Sequence, residues 1–269
     1  MKKTKAQRAD KYDLYQQSVQ NADHEAEFCL RAYRDAFGRK AMPRVLREDF
    51  CGTFAVCCEW VKLDKRFEAV GVDLDPEPVA WGREHNLSKL DEAQQKRVTL
   101  VRGDVRDVSK TKADIVAAEN FSFWLFKTRD GLRDYFRAAY KNLKPKGIFL
   151  LDMMGGSSLM NEDQKDKHKY KGFRYEWEQV RFDPITHDVL FHIHFKFKDG
   201  SRLNKAFTYD WRLWSLPEVR ELLAEAGFRD SVVYWENEDP KTGKGDNTWR
   251  RRKHATPDDC WIAYVVGIK

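Results

Sequence analysis

The sequence predicts an α/β protein: a doubly wound, mostly parallel sheet of seven strands, with a three-stranded antiparallel insert and an N-terminal helical cap. Three observations carry this. Between residues 44 and 153, continuous apolar runs of strand length alternate with amphipathic segments of helix length, as in sheets covered on both faces. Between residues 173 and 213 the period becomes strict alternation, the mark of antiparallel strands. After residue 213 the first pattern returns. The division that follows is a cap over 1–40, a core over 41–160 and 214–269, and an insert over 161–213.

Residues 10–37 read as helical, anchored by Tyr12, Tyr15, Phe28, Leu30, Tyr33 and Phe37 and stopped by Gly38. Strand 44–48 leads to helix 53–62, and strand 68–73 to helix 76–87, which Pro76 opens. Strands 98–103 and 113–119 follow. Helix 130–143 ends before Lys144-Pro145-Lys146-Gly147, and strand 148–153 comes next. The insert holds strands 173–182, 188–198 and 203–213, with turns at Asp183-Pro184 and Asp199-Gly200. On its middle strand Val189, Phe191, Ile193, Phe195 and Phe197 share one face. Leu190, His192, His194, Lys196 and Lys198 share the other. Ser215 and Glu218 make a capping box for helix 216–226, and Gly227 stops it. Strands 231–236 and 260–267 close the chain, with residues 238–259 read as a long loop.

Composition excludes several classes. A chain of 269 residues, 42% hydrophobic and with nine Trp, has ample material for a core. Mean hydropathy is −0.73. No apolar run approaches the roughly 18 residues that span a membrane, so a soluble protein with no membrane partner is expected. The first 15 residues lack the apolar centre of a secretory leader. Five cysteines without repeated spacing predict reduced thiols in the cytoplasm, and neither a disulfide framework nor a metal site. The net charge of +6 is spread along the chain, and only Arg250-Arg251-Arg252-Lys253 is dense. That run reads as a solvated loop or a phosphate contact, and nucleic acid is not the expected partner. A homo-oligomer is compatible with all of this.

The richest segment is Leu46-Arg47-Glu48-Asp49-Phe50-Cys51-Gly52-Thr53, followed by Gly71-Val72-Asp73-Leu74-Asp75. An apolar strand enters a turn that opens a helix, and a second apolar strand ends in an acid able to accept both ribose hydroxyls of a nucleotide-type cofactor. A dinucleotide site wants three glycines in this turn, so that a pyrophosphate reaches the helix N-terminus. Here Phe50 and Phe54 flank Gly52, and a Phe54 ring at the helix head obstructs a pyrophosphate. S-adenosylmethionine carries no phosphate, and the loop favours it.

These residues resemble the class I S-adenosylmethionine-dependent methyltransferases, in particular the small-molecule branch of glycine and amino-sugar N-methyltransferases. Glu48 to Thr53 looks like their first motif, with two of its glycines replaced by Phe50 and Phe54. Gly103-Asp104-Val105-Arg106 is similar to the segment that reads adenine. Glu119-Asn120-Phe121-Ser122-Phe123 matches the end of the fourth strand, in place of the Pro-Pro-Tyr type tetrapeptide of nucleic-acid amino methylators. Leu143 to Ile148 looks like the turn before the fifth strand. The resemblance covers about residues 44–153 and 213–269. It implies a Rossmann-like fold with Glu48, Phe50, Cys51, Gly52, Thr53, Asp73, Leu74, Gly103, Asp104, Val105, Glu119, Asn120 and Phe121 around the cofactor. Tyr12, Tyr15 or Gln20 of the cap would close over its methionine end.

The insert resembles the antiparallel platform that covers the acceptor in this branch. Methyl transfer is an in-line displacement that needs alignment and desolvation, and a base only when the acceptor arrives protonated. The candidate bases are Glu119, His192, His194 and Tyr209. Trp177, Tyr209, Trp211 and Trp214 are candidate acceptor walls or core. A small-molecule acceptor is expected, nitrogen before oxygen, with RNA, protein or a non-catalytic scaffold as the alternatives.

Overall fold

The computed structural model describes residues 3–238 and 245–269. The N-terminal segment folds as α1 (Lys5–Arg8), α2 (Lys11–Ser18) and α3 (Ala22–Phe37), not as one helix. The break comes at Val19, which caps α2, and α3 restarts behind Asn21. Glu25, Ala26, Phe28, Cys29, Ala32 and Tyr33 form the buried stripe of α3 at helical spacing.

Strands β1 (Val45–Asp49), β2 (Glu68–Asp73), β3 (Val98–Arg102), β4 (Ala113–Ala118) and β5 (Leu143–Gly155) run parallel in the order β5-β4-β1-β2-β3. The helices between them are α4 (Ala55–Leu63), α5 (Pro76–His85), the short α6 (Glu92–Gln95) and α7 (Arg129–Asn142). One layer places α3 and α4 against Leu46, Ile115, Ile148 and Leu150 of the sheet. The other places Leu132, Tyr135, Phe136 and Ala139 of α7 against Val116, Phe149 and Leu151. Alternate residues of one strand therefore feed two cores, and this is why these strands read as continuous apolar runs.

A second antiparallel sheet follows, in the order β6 (Gln164–Lys169), β7 (Phe173–Phe182), β8 (Asp188–Phe197), β9 (Arg202–Arg212). Helix α8 (Leu216–Ala226) then packs beside α7, with the Ser215–Glu218 capping box in place. Strands β10 (Asp230–Glu238), β11 (Gly245–Arg252) and β12 (Trp261–Ile268) complete the main sheet antiparallel to their neighbours, in the order β11-β10-β12-β5.

Two strands differ from the sequence reading. Among the described residues the main sheet has eight strands and the second sheet four. Strand β11 lies within the stretch read as a loop, of which residues 239–244 fall outside the described residues. Strand β6 is Gln-Lys-Asp-Lys-His-Lys, exposed at every position and held to β7 by backbone pairing and by the Lys165–Glu178 ion pair at 2.7 Å. A charged edge strand carries no apolar period to read, and its lysines discourage pairing with another chain. Among the described residues no helix is long and apolar enough to cross a membrane.

The cap ties the two sheets together. Lys5 N–H donates to Asp199 Oδ2 at 2.9 Å and Ala6 N–H to Ser201 Oγ at 3.1 Å, both in the β8–β9 turn. On the other side Trp81 Nε1 of α5 donates to Asp10 Oδ2 at 2.5 Å, and Gln16 Nε2 to Thr53 Oγ1 at 2.9 Å. Leu14 and Tyr15 fill the space beneath Ile193, Phe195 and Phe207.

Candidate active site

The turn after β1 keeps a glycine-shaped backbone without the glycines. Phe50, Gly52 and Phe54 have φ of 56°, 50° and 45°. For a non-glycine residue this left-handed conformation costs roughly 1–2 kcal/mol. Each ring finds packing that offsets it. Phe54 is fully buried, and a Cβ placed on Gly82 of α5 would meet its Cε1 at 2.6 Å. Phe50 packs on Tyr135 and Phe126 with ring centroids 5.5 and 6.1 Å away. Neither ring stands over the head of α4, which corrects the expectation that Phe54 blocks a phosphate there. Phe54→Gly is expected to cost about 2–4 kcal/mol, a large buried cavity less the strain relieved. Phe50→Gly should cost less than Phe54→Gly, because its ring is only partly buried and its backbone relaxes. Urea unfolding of both variants tests the pair; equal losses would contradict this division.

Gly52 leaves the backbone open to a ligand: a Cβ there would have nothing within 4 Å. Its N–H donates to Asp73 Oδ2 at 2.7 Å, and Asp75 N–H donates to Oδ1 at 2.8 Å. Asp73 at the end of β2 therefore organises the turn after β1. Cys51 is buried, and Gly71 makes room for its sulfur. Thr53 is buried and tied to Gln16. Leu74 is exposed beside Asp73. Gly103 N–H donates to Asp73 O at 3.0 Å. The Arg106 guanidinium binds both oxygens of Asp104 and holds that carboxyl below its usual range. Val105 is buried, and its carbonyl accepts from Arg47 at 2.9 Å.

Buried carboxylates dominate the centre. Glu48 is 5% exposed and its Oε2 accepts the Cys57 N–H at 3.0 Å, near the start of α4. Burial pushes it up to about 8. Glu119 follows β4, and Glu25 reaches it from α3. Burial raises both, and the two carboxyl groups lie close enough to interact. Asp152 of β5 accepts the N–H groups of Asn120 and Phe121 at 2.9 and 3.0 Å, and burial pushes it up to about 7. Asn120 and Phe121 both have φ of 57°, so Asp152 fastens a strained turn at the strand end. Among the described residues no Lys, Arg or His pairs with any of these four acids.

Glu25, Asp152, Asn120 and Phe121 face a cavity of about 790 Å³, closed by Tyr175 and Trp177 of the second sheet and by Trp249 and Tyr264 of the main one. Sequence reasoning missed Glu25 and Asp152. An acid inside the apolar run of β5, and one on the buried stripe of α3, were the signals available.

The other sequence candidates fall elsewhere. His192 and His194 lie on the face of the second sheet opposite Phe191, Ile193 and Phe195, away from the cavity. His194 Nδ1 accepts the Lys205 N–H at 3.1 Å, so its Nε2 carries the hydrogen toward Glu178, 2.8 Å away. Both ring nitrogens are thus committed. His192 Nδ1 contacts Thr208 Oγ1 at 3.1 Å. The structure therefore does not bring these two histidines to the site. Tyr209 lies behind Trp177, stacked on Trp211 at 4.3 Å and hydrogen-bonded to Tyr15, and burial raises its hydroxyl. Trp211 and Trp214 are core. Tyr12 packs on Trp81, and Gln20 lines a separate pocket beside α4. Arg250, Arg251 and Arg252 lie exposed on the edge strand β11, with Arg251 Nε on the Tyr234 hydroxyl at 2.9 Å.

A cluster of buried acids repels a pyrophosphate and suits a cofactor with a sulfonium and an ammonium. Residues 49–151 match the methyltransferase domain family. The protein YqeM of Bacillus subtilis (strain 168), whose name carries a provisional methyltransferase assignment, is 21% identical over 188 residues, 66% of this chain and 71% of its own. Two solved structures share the fold at low identity. CalS10, an S-adenosylmethionine-bound amino pentose methyltransferase from Micromonospora echinaspora, has a TM-score of 0.66 at 17% identity, over 97% of this chain and 98% of its own. The sugar N-methyltransferase KedS8 from Streptoalloteichus sp ATCC 53650 has a TM-score of 0.63 at 19% identity, over 96% and 92%. The domain match over residues 49–151, and a fold shared with these structures, point to S-adenosylmethionine-dependent methyl transfer.

Proposed function

We propose that this enzyme methylates the amine nitrogen of a small molecule. The observation that carries the reading is the cavity beside Asn120 and Phe121, whose buried charged groups, Glu25 and Asp152, are acids without a cationic partner. An unpaired buried carboxylate is costly, and an acceptor ammonium supplies the missing charge. Trp177, Tyr175 and Trp249 give the cation aromatic faces. The volume falls within the usual range for small-molecule sites. Amino pentose and sugar N-methyltransferases among the structural neighbours support the same reading.

In this reading Asp73 accepts the ribose hydroxyls, while Leu74, Gly103, Asp104 and Val105 frame the adenine. Backbone at Phe50 to Thr53 and Glu119 to Phe121 approaches the methionine end, beneath Tyr15. When bound, the cofactor supplies an electrophilic methyl, which an amine nitrogen takes as its N–C bond forms and the S–C bond breaks with its electron pair left on sulfur. Glu48, held by Cys57 and raised by burial, supports the turn rather than contacting the cofactor. The strapped cap and the second sheet exclude water, which strengthens every electrostatic contact inside.

A panel of small amines and their hydroxyl isosteres, assayed for S-adenosylhomocysteine formation, tests the reading. Turnover is expected with an amine and is expected to be absent with its isostere. Preference for the isostere would refute the assignment of nitrogen.

A further inference from the structure

We propose that Glu25 of the N-terminal helix α3 takes the proton from the incoming ammonium, and that Glu119 positions it by sharing a proton across their facing carboxyl groups. This rests on the amine reading above. Glu25 is 8% exposed and Glu119 5%. The Oε2 atoms of both are buried without a donor partner, although the two side chains are within hydrogen-bonding reach of each other. Two carboxyl oxygens that meet in a dry site need a proton or a cation between them, since like charges there repel strongly.

The groups facing the pair are acids or uncharged donors, and Lys165, which also lines the cavity, is held by Glu178 at 2.7 Å. Glu25 Oε1 accepts only the Asn21 N–H, at 3.5 Å. Cys29 Sγ of α3 donates to Glu119 Oε1 at 3.9 Å. Glu48 of β1, Asp152 of β5, Tyr264 of β12 and Asp23 of α3 also face the pair, as acids or neutral hydroxyl. His24 lines the same cavity with its Nε2 unpartnered. Burial and these neighbours hold the pair's affinity for protons well above that of free carboxylates. Glu25 lines the cavity and Glu119 lies behind it, so Glu25 is the one that meets the acceptor.

The step balances simply. The singly protonated pair accepts one proton: an N–H bond of the ammonium breaks, an O–H bond forms on Glu25, and the nitrogen keeps its electron pair for the methyl. The added proton returns to solvent after turnover, which restores the singly protonated pair.

Two measurements on the full chain test this. Infrared difference spectra between acid and alkaline pH, with glutamate isotope-labelled, should show a protonated-carboxyl band that titrates near neutrality. Measured in a Glu48→Gln background, which removes the other buried glutamate raised into this range, that band should vanish in Glu25→Gln and shift in Glu119→Gln, with no acceptor present. With an amine acceptor, Glu25→Gln should lose about 10²–10⁴-fold in kcat. It should recover as the pH approaches the acceptor's own pKa, where the free amine needs no base. Calorimetry of S-adenosylhomocysteine binding checks that the variants retain the cofactor site. Absence of the band in the parent overturns the shared proton whatever the acceptor proves to be. An unchanged pH profile in Glu25→Gln overturns the base while leaving the amine reading intact.

Discussion

Arg47→Met is expected to lower stability by about 3–5 kcal/mol at neutral pH, the range for removing one partner of a buried ion pair. Arg47 is 3% exposed and Asp49 1%, with Nε 2.6 Å from Oδ1. The same guanidinium donates to the carbonyls of Val105 and Asp107, so one side chain ties β1 to the loop after β3. Tyr135 of α7 donates its hydroxyl to Asp49 Oδ2 at 3.1 Å. Burial outweighs the Arg47 contact and already pushes Asp49 up to about 6. A carboxyl raised in the folded state contributes stability below its unfolded value of about 3.9 and loses it as pH rises through the folded value. Without Arg47 that folded value climbs further. The deficit should therefore be small near pH 5 and large at pH 7.5 in urea titrations. Adding Asp49→Asn should restore most of it at the higher pH. An equal loss at both pH values, with no rescue, would show that Arg47 acts through packing alone.

The parallel half of the fold was legible because its strands are buried on both faces and its turns carry glycine, proline and capping residues. The insert was legible for the opposite reason, a strict alternation from Phe173 to Leu213. What escaped had no apolar period: β6 is charged throughout, and β11 reads as a basic loop until its backbone pairs with β10. The site divided in the same way. Glu48, Gly52, Asp73 and Asp104 sit at strand ends that the pattern located. His192 and His194 were misplaced because alternation tells which residues share a face, not which face meets the cavity. Their polar face lies opposite the cavity, where both rings are buried against Glu178, Thr208 and Lys205. Glu25 was hidden because a single acid on a helical stripe looks like any other surface glutamate until α3 is packed on β4.

Asp73→Ala is expected to weaken S-adenosylhomocysteine binding by about two to four orders of magnitude. Two hydrogen bonds from ribose hydroxyls to a carboxylate are worth about 1.5–3 kcal/mol each, and 1.4 kcal/mol is a factor of ten. The same carboxylate holds the Gly52 N–H, so its loss also releases the backbone that the methionine end approaches. These two contributions separate in a cycle with a 2′-deoxy analogue measured by calorimetry. Against the parent enzyme the missing hydroxyl should cost affinity; against Asp73→Ala it should cost almost nothing, because its partner is already gone. The residual deficit of Asp73→Ala for the deoxy analogue then reports the other ribose contact and the loosened turn. Asp73→Asn should fall between, since an amide oxygen can still accept from Gly52 while its NH₂ group cannot accept from the ribose. A variant within threefold of the parent, equally sensitive to the missing hydroxyl, would leave Asp73 only the task of holding the Gly52 turn.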